Sequence, residues 1–243
     1  MLREETPVRR RSVSRRAFLK TTVPAGALVM APQLVPGPAL GKNGIVPPSD
    51  RIVLGAIGIG GRGREVLLAF LREPDVQFVA ICDIRADRRE AVRKMVEEKF
   101  DNKDCSKYAD LHEILARSDI DAVLIATGDR WHTAASILAA RAGKDIYCEK
   151  PCSMTIAESR ALADTIRRFD RIYQAGTQRR NIANFVYAIE LVHSGKLGKL
   201  QAVHANTQDP KVTHNWLPAQ PEPPKDLVDW DRWLGPCPWR PYN

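Results

Sequence analysis

A chain of 243 residues that is 44% apolar has room for one large or two small globular domains, which excludes a wholly disordered or fibrous protein. Its net charge of +8 points to a polyanionic partner only until the charge is located: residues 1–41 hold seven Arg/Lys against two Glu, which leaves +3 for the remainder. No phosphate-tracking basic stripe is left, and nucleic acid is excluded as a partner.

The basic charge belongs to a leader. Ser14-Arg15-Arg16-Ala17-Phe18-Leu19-Lys20 resembles the twin-arginine export motif, and a mildly apolar stretch from Val23 to Leu40 follows it. Pro24, Pro32, Pro36 and Pro38 interrupt that stretch and argue against a stable membrane span. Small residues around Ala39-Leu40-Gly41 place cleavage near Gly41. The expectation is a signal peptide over 1–41, a linker over 42–50, and a protein exported by the twin-arginine translocase to the periplasm or another extracytoplasmic space. That route carries folded proteins, so a cofactor made in the cytoplasm would cross already bound. A basic tail is the plainer alternative.

Residues 51–175 read as a dinucleotide-binding domain. Ile52 to Ile57 is a buried parallel strand that empties into Gly58-Ile59-Gly60-Gly61-Arg62-Gly63, a G-x-G-x-x-G loop ahead of an apolar-periodic helix. In such loops the first glycine allows the tight turn, the second admits the pyrophosphate and the third lets the helix pack close. The helix N-terminus adds unpaired N–H groups and about half a positive charge. A glycine turn with no ligand is the alternative. A second strand, Val76 to Cys82, ends in Asp83, about 20 residues past Gly63, where a carboxylate can accept both ribose hydroxyls of NAD.

The elements then alternate. A first crossover helix is expected over Glu65 to Leu71, a charged helix over Ala86 to Phe100, and a loop and short helix from Tyr108 to Leu115 with His112 exposed. Strand Asp121 to Thr127, helix Trp131 to Ala142 and strand Asp145 to Cys148 follow, the last running into Glu149-Lys150-Pro151. Thr155 and Glu158 form a capping box for a helix to about Phe169, and Arg171 to Thr177 is the next strand. Strands and helices in this order, with short connections, make a doubly wound parallel sheet.

Residues 176–243 read as the partial start of an α+β substrate domain. It begins with a helix over Ile182 to Ser194 and a half-exposed antiparallel strand over Gly198 to Asn206. From Gln208 onward eight prolines and four tryptophans describe an extended segment that wraps a surface. The five cysteines are odd in number and sparse, so they form no disulfide framework, and Cys148-x-x-x-Cys152 lacks the histidine pair a metal would want.

Lys150 stands at the carboxyl end of a parallel strand, where ligands bind in such sheets. Near a nicotinamide it could stabilise or protonate an alkoxide; a solvated surface lysine is the alternative. With Ala126-Thr127, Trp131-His132, Glu149-Lys150-Pro151 and Ala175-Gly176-Thr177-Gln178-Arg179-Arg180, the sequence from 51 onward resembles the Gfo/Idh/MocA oxidoreductases. The resemblance implies that Gly58, Gly60, Gly61, Gly63 and Asp83 hold the dinucleotide. It also implies that Thr127 and His132 line the cofactor, that Glu149 lies near the nicotinamide ribose, that Lys150 is catalytic, and that Lys150 and Arg179 meet the substrate. His132 has a second reading as a buried histidine in its helix's first turn. Gly128 and Arg130 stand where many relatives carry proline and histidine.

The implied activity is hydride transfer between a nicotinamide cofactor and a sugar or polyol. NAD is favoured by Asp83, with NADP the alternative through Arg85 and Arg88. An NAD-dependent glycosidase and a noncatalytic nucleotide-binding or sensing protein are the competing readings. The family's second acid-base motif, Asp-x-x-x-His, does not occur after Lys150, since His204 and His214 lack the aspartate. The expectation is therefore a truncated member that binds dinucleotide and turns over poorly. Its partners would be a small sugar or polyol, the translocase and, as an open alternative, a second copy of the chain.

Overall fold

Aliphatic runs too short for helices and covered on both faces make the frame. The structure, a computed structural model, describes residues 46–206 and 220–242, so the leader and Trp216 lie outside the described residues. Strands β1 (Ile52–Ile57), β2 (Val76–Cys82), β3 (Ser106–Tyr108), β4 (Ala122–Ile125), β5 (Asp145–Cys148) and β6 (Tyr173–Ala175) form one sheet in the order β3-β2-β1-β4-β5-β6. Every pairing is parallel. The order reverses direction between β1 and β4, so the carboxyl ends of those two strands flank the crevice where ligands bind in open α/β sheets.

The helices are α1 (Gly61–Phe70), α2 (Ala86–Phe100), α3 (Leu111–Leu115), α4 (Asp129–Arg141), α5 (Ile156–Arg168), α6 (Ala183–His193) and α7 (Trp230–Leu234). One face of the sheet buries Leu54, Phe78 and Leu124 against Val66, Leu67, Val92 and Val96 from α1 and α2. The other buries Ile57, Val123 and Ile125 against Ile114 and the alanines 135, 139 and 140 of α3 and α4. Two cores on one sheet are what makes it doubly wound. Thr155 caps α5 with both halves of the capping box formed. Among the described residues no helix is long and apolar enough to cross a membrane.

Four expectations need correction. Helix α1 begins at Gly61, four residues ahead of the expected start at Glu65, because Gly60 serves as its N-cap. Ser106–Tyr108, read as loop, is the edge strand β3, paired with Ala80 to Cys82; three residues with little apolar character carry no period to detect. The strand expected over Gly198 to Asn206 is not formed. Alternation alone does not make a strand, which needs a partner edge, and no described element supplies one there. The segment expected to be extended contains a helix as well: Asp229 caps α7 by accepting the Arg232 N–H at 3.1 Å.

Candidate functional site

The glycine loop leaves β1 through Gly58, whose φ of +77° is a conformation glycine adopts without strain. A Cβ at Gly58 would lie 2.6 Å from Thr127 Cα, and one at Gly63 would overlap the Gly58 carbonyl oxygen. Both positions therefore need glycine to bring α1, β1 and the β4 loop together. Gly61 has open space beside it, so nothing steric demands glycine there.

Asp83, at the end of β2, is 6% exposed. Its Oδ2 accepts the Ile59 N–H at 2.9 Å and its Oδ1 accepts the Arg85 N–H at 2.9 Å. A carboxylate has about four acceptor sites, so Asp83 braces the glycine loop and still has capacity for hydroxyls. Arg85 is held by Asp87 through a bidentate pair at 3.0 and 2.7 Å. Arg88 sits over the glycine loop, its Nη1 3.1 Å from where a Gly60 Cβ would stand.

These groups converge on a cavity of about 670 Å³ at the strand reversal. Gly58, Gly60, Gly61, Asp83 and Thr127 are on its walls. That volume suits a cofactor-sized ligand, and the glycine cradle, which a Cβ would fill, together with the spare acceptors of Asp83 fits a dinucleotide.

His132, Glu149, Lys150 and Arg179 are not on those walls. His132 is 1% exposed in the first turn of α4, with Nδ1 2.6 Å from the Pro151 carbonyl and Nε2 3.1 Å from the Thr127 carbonyl. Both partners are carbonyl oxygens, which only accept, so a ring nitrogen that carries a proton donates to its carbonyl. The ring thus lies between the loops after β4 and β5. Lys150 is exposed at the end of β5, and its bond to Pro151 is cis. Arg179 lies in a 3₁₀ turn over Gln178–Asn181, 5.4 Å above the Phe185 ring.

Glu149 is 3% exposed and accepts three hydrogen bonds. It accepts from Arg62 Nε at 3.0 Å and from Gln178, and its Oε2 accepts the Lys150 N–H at 3.3 Å. Burial opposes the charge on Arg62, but hydrogen bonds to Glu65 and Glu149 outweigh it and hold the guanidinium above its ordinary pKa. Gln178 also donates to the Tyr147 hydroxyl at 2.8 Å. Arg62, itself on the cavity wall, therefore links the glycine loop to the residue before Lys150. Sequence reading passed over Arg62, a variable position in a glycine motif, and Gln178; their partners are distant in sequence.

The other wall of the cavity was not anticipated. It comes from the last described segment, through Val228, Trp230, Arg232, Trp233 and Tyr242. The signal present in the sequence was the density of tryptophan in a proline-rich stretch; which surface it covered was not legible.

Comparison with known proteins agrees with this geometry. A family model described as "Oxidoreductase family, NAD-binding Rossmann fold", named GFO_IDH_MocA, matches residues 52–177. Myo-inositol 2-dehydrogenase of Thermotoga maritima is 32% identical over 158 residues, covering 65% of this chain and 45% of that protein. A glycosyl hydrolase family 109 protein of Saccharopolyspora erythraea is 30% identical over 202 residues, covering 77% and 44%. The crystal structure of myo-inositol 2-dehydrogenase from Lactobacillus plantarum superposes with a TM-score of 0.56 at 24% identity, covering 61% of this chain and 43% of that one, a likeness of fold alone. The chain spans less than half the length of the curated relatives it matches.

Proposed function

The chain belongs to the Gfo/Idh/MocA oxidoreductase family, and from that premise we propose that it binds NAD and serves hydride transfer with a sugar or polyol. The observation that carries the reading is the glycine cradle braced by Asp83 at the mouth of the cavity. NAD, when bound, accepts or returns the hydride. The loop glycines and the N-terminus of α1 receive the pyrophosphate, and Asp83 takes the adenosine ribose hydroxyls. A buried carboxylate there disfavours a 2′-phosphate, and Arg85 is already paired with Asp87, which leaves Arg88 on the cavity wall as the cation that an NADP phosphate would use. NAD is therefore preferred to NADP.

Lys150 Nζ stabilises or protonates the substrate alkoxide. Its placement depends on neighbours: Glu149 is fixed by Arg62 and Gln178, and the following turn by His132. Arg179 meets the substrate from the turn after β6. The protein acts outside the cytoplasm, delivered there by the twin-arginine route with its cofactor bound.

Calorimetry with NAD, followed by a hydride-transfer assay over inositols and hexoses, tests the reading. Lys150→Ala is expected to keep NAD affinity within about threefold and to lower transfer roughly 10²- to 10⁴-fold, the usual loss for a positioned acid-base group. Failure of the protein to bind NAD would overturn the whole reading. Native mass spectrometry of the protein from its own host tests export, where a mass beginning near residue 42 is expected. The similarity to the family 109 protein favours a second reading, a glycosidase that oxidises and re-reduces its sugar. Sugar cleavage without net change in NAD would distinguish it.

A further inference from the structure

We propose that Val228–Tyr242 is a strap forming the outer wall of the adenosine end of the cavity, with Trp230 and Tyr242 as the surfaces that meet the adenine. The inference rests on the dinucleotide reading and adds to it the recognition of the base, which the glycine loop and Asp83 do not provide.

The strap starts where the ribose would be. Val228 pairs with Arg85 in an antiparallel bridge, and the Ala86 N–H donates to the Leu227 carbonyl at 3.3 Å, two and three residues past Asp83. The base of a nucleoside is joined directly to the sugar whose hydroxyls Asp83 would accept. A segment lying against Arg85 is therefore within reach of the base.

From there the strap crosses to the β4 side and is fastened. Trp131 Nε1 donates to the Arg232 carbonyl at 2.9 Å, and Arg130 Nε donates to the Trp233 carbonyl at 2.7 Å. Arg232 pairs with Asp110 at 2.9 Å. Gly235, at φ +57°, lies so close to the Trp131 ring that a Cβ would overlap it. The strap thus spans the cavity from the β2 turn to the start of α4.

What it presents to the cavity is aromatic. Trp230 and Trp233 are stacked, with centroids 4.6 Å apart and 12° between planes, and Tyr242 meets Trp230 edge-on at 4.9 Å. The Arg130 guanidinium lies 3.7 Å from the Trp233 centroid. Trp230, whose Nε1 also donates to the Arg240 carbonyl at 2.8 Å, stacks on Trp233 through one face, and with Tyr242 it lines the cavity from the strap side. Aromatic faces bordering the cavity suit a flat, neutral heteroaromatic ring, and such stacking is tolerant of the exact ring pose.

The test is calorimetry on the full protein with NAD, ADP-ribose and AMP. Trp230→Ala and Tyr242→Ala are expected to weaken all three by about 10-fold or more. Trp239→Ala, at a 68% exposed residue that is not on the cavity wall, is expected to change none. Trp230→Phe keeps a ring in place and is expected to recover most of the affinity, which a lost strap fold would not allow. Gly235→Ala, which unseats the strap at Trp131, is expected to reproduce the alanine loss. Unchanged ADP-ribose and AMP affinities in Trp230→Ala and Tyr242→Ala, with NAD still bound by the unmodified protein, would overturn the strap alone. No binding of NAD by the unmodified protein would take down the dinucleotide reading and the strap with it.

Discussion

Residues 52–175 and the described residues beyond Gly176 are held by different forces. The first set buries side chains on both faces of a six-stranded sheet, with Leu67, Ile81, Ile114 and Ile125 essentially without exposure. In the second set α6 has no buried residue, and Asp229 and Leu234 are the buried side chains of the strap. The first region makes its own core. The strap is ordered by polar anchors and stacking against a surface that already exists, so it should respond to perturbations that leave the sheet intact.

The largest expected contrast is in stability. Ile125→Ala, inside the sheet, should cost about 2–5 kcal/mol, as large-to-small core changes do. Ile189→Ser, on the 49% exposed side of α6, should stay within about 0.5 kcal/mol. Urea denaturation of the two variants measures both. A comparable loss from Ile189→Ser would mean that α6 has a core, and the comparison would break.

Next is Gly58→Ala. The positive φ and the approach to Thr127 should cost roughly 1–3 kcal/mol, and NAD affinity should fall with it because the cradle is distorted. The strap, fastened at Arg130, Trp131 and Asp110, should keep its native tryptophan emission. Calorimetry and fluorescence on one sample read the two regions separately.

How much of this was legible follows the same division. Strands β1, β2 and β5 and helix α2 could be read to their ends because burial on two faces, or a stripe on one, writes a period into the residues. The glycine cradle was legible since Gly58 and Gly63 perform steric tasks that only glycine permits. Edge strand β3 was missed, having three residues and one neighbour. The Arg62–Glu149–Gln178 network was not legible, because polar contacts between residues 29 and 87 positions apart leave no local pattern, and the partners of His132, backbone carbonyls 5 and 19 positions away, are equally unmarked by residue type. The strap was half legible: its aromatic density implied a covered surface, while the surface itself is defined only by tertiary contacts.

The smallest expected effect is in the strap's response to acid, and it separates the regions most cleanly. Burial pushes the Asp110 carboxyl up, but the His112 N–H, the His112 ring and Arg232 outweigh burial and hold it below the ordinary carboxylate value. A depressed folded-state pKa contributes stability that is present above the unfolded value, near 4, and is lost as pH falls through the folded value. The strap's tie to Asp110 should therefore be intact at neutral pH and weaken only below about pH 4. Asp110 is partly exposed, so the loss should be under about 1 kcal/mol. Tryptophan emission should shift on lowering the pH before far-ultraviolet circular dichroism reports loss of the sheet. Asp110→Asn should remove that early step. If emission and dichroism instead fall together in both proteins, the strap shares the cooperativity of the sheet, and the distinction between a self-cored region and a fastened one does not hold.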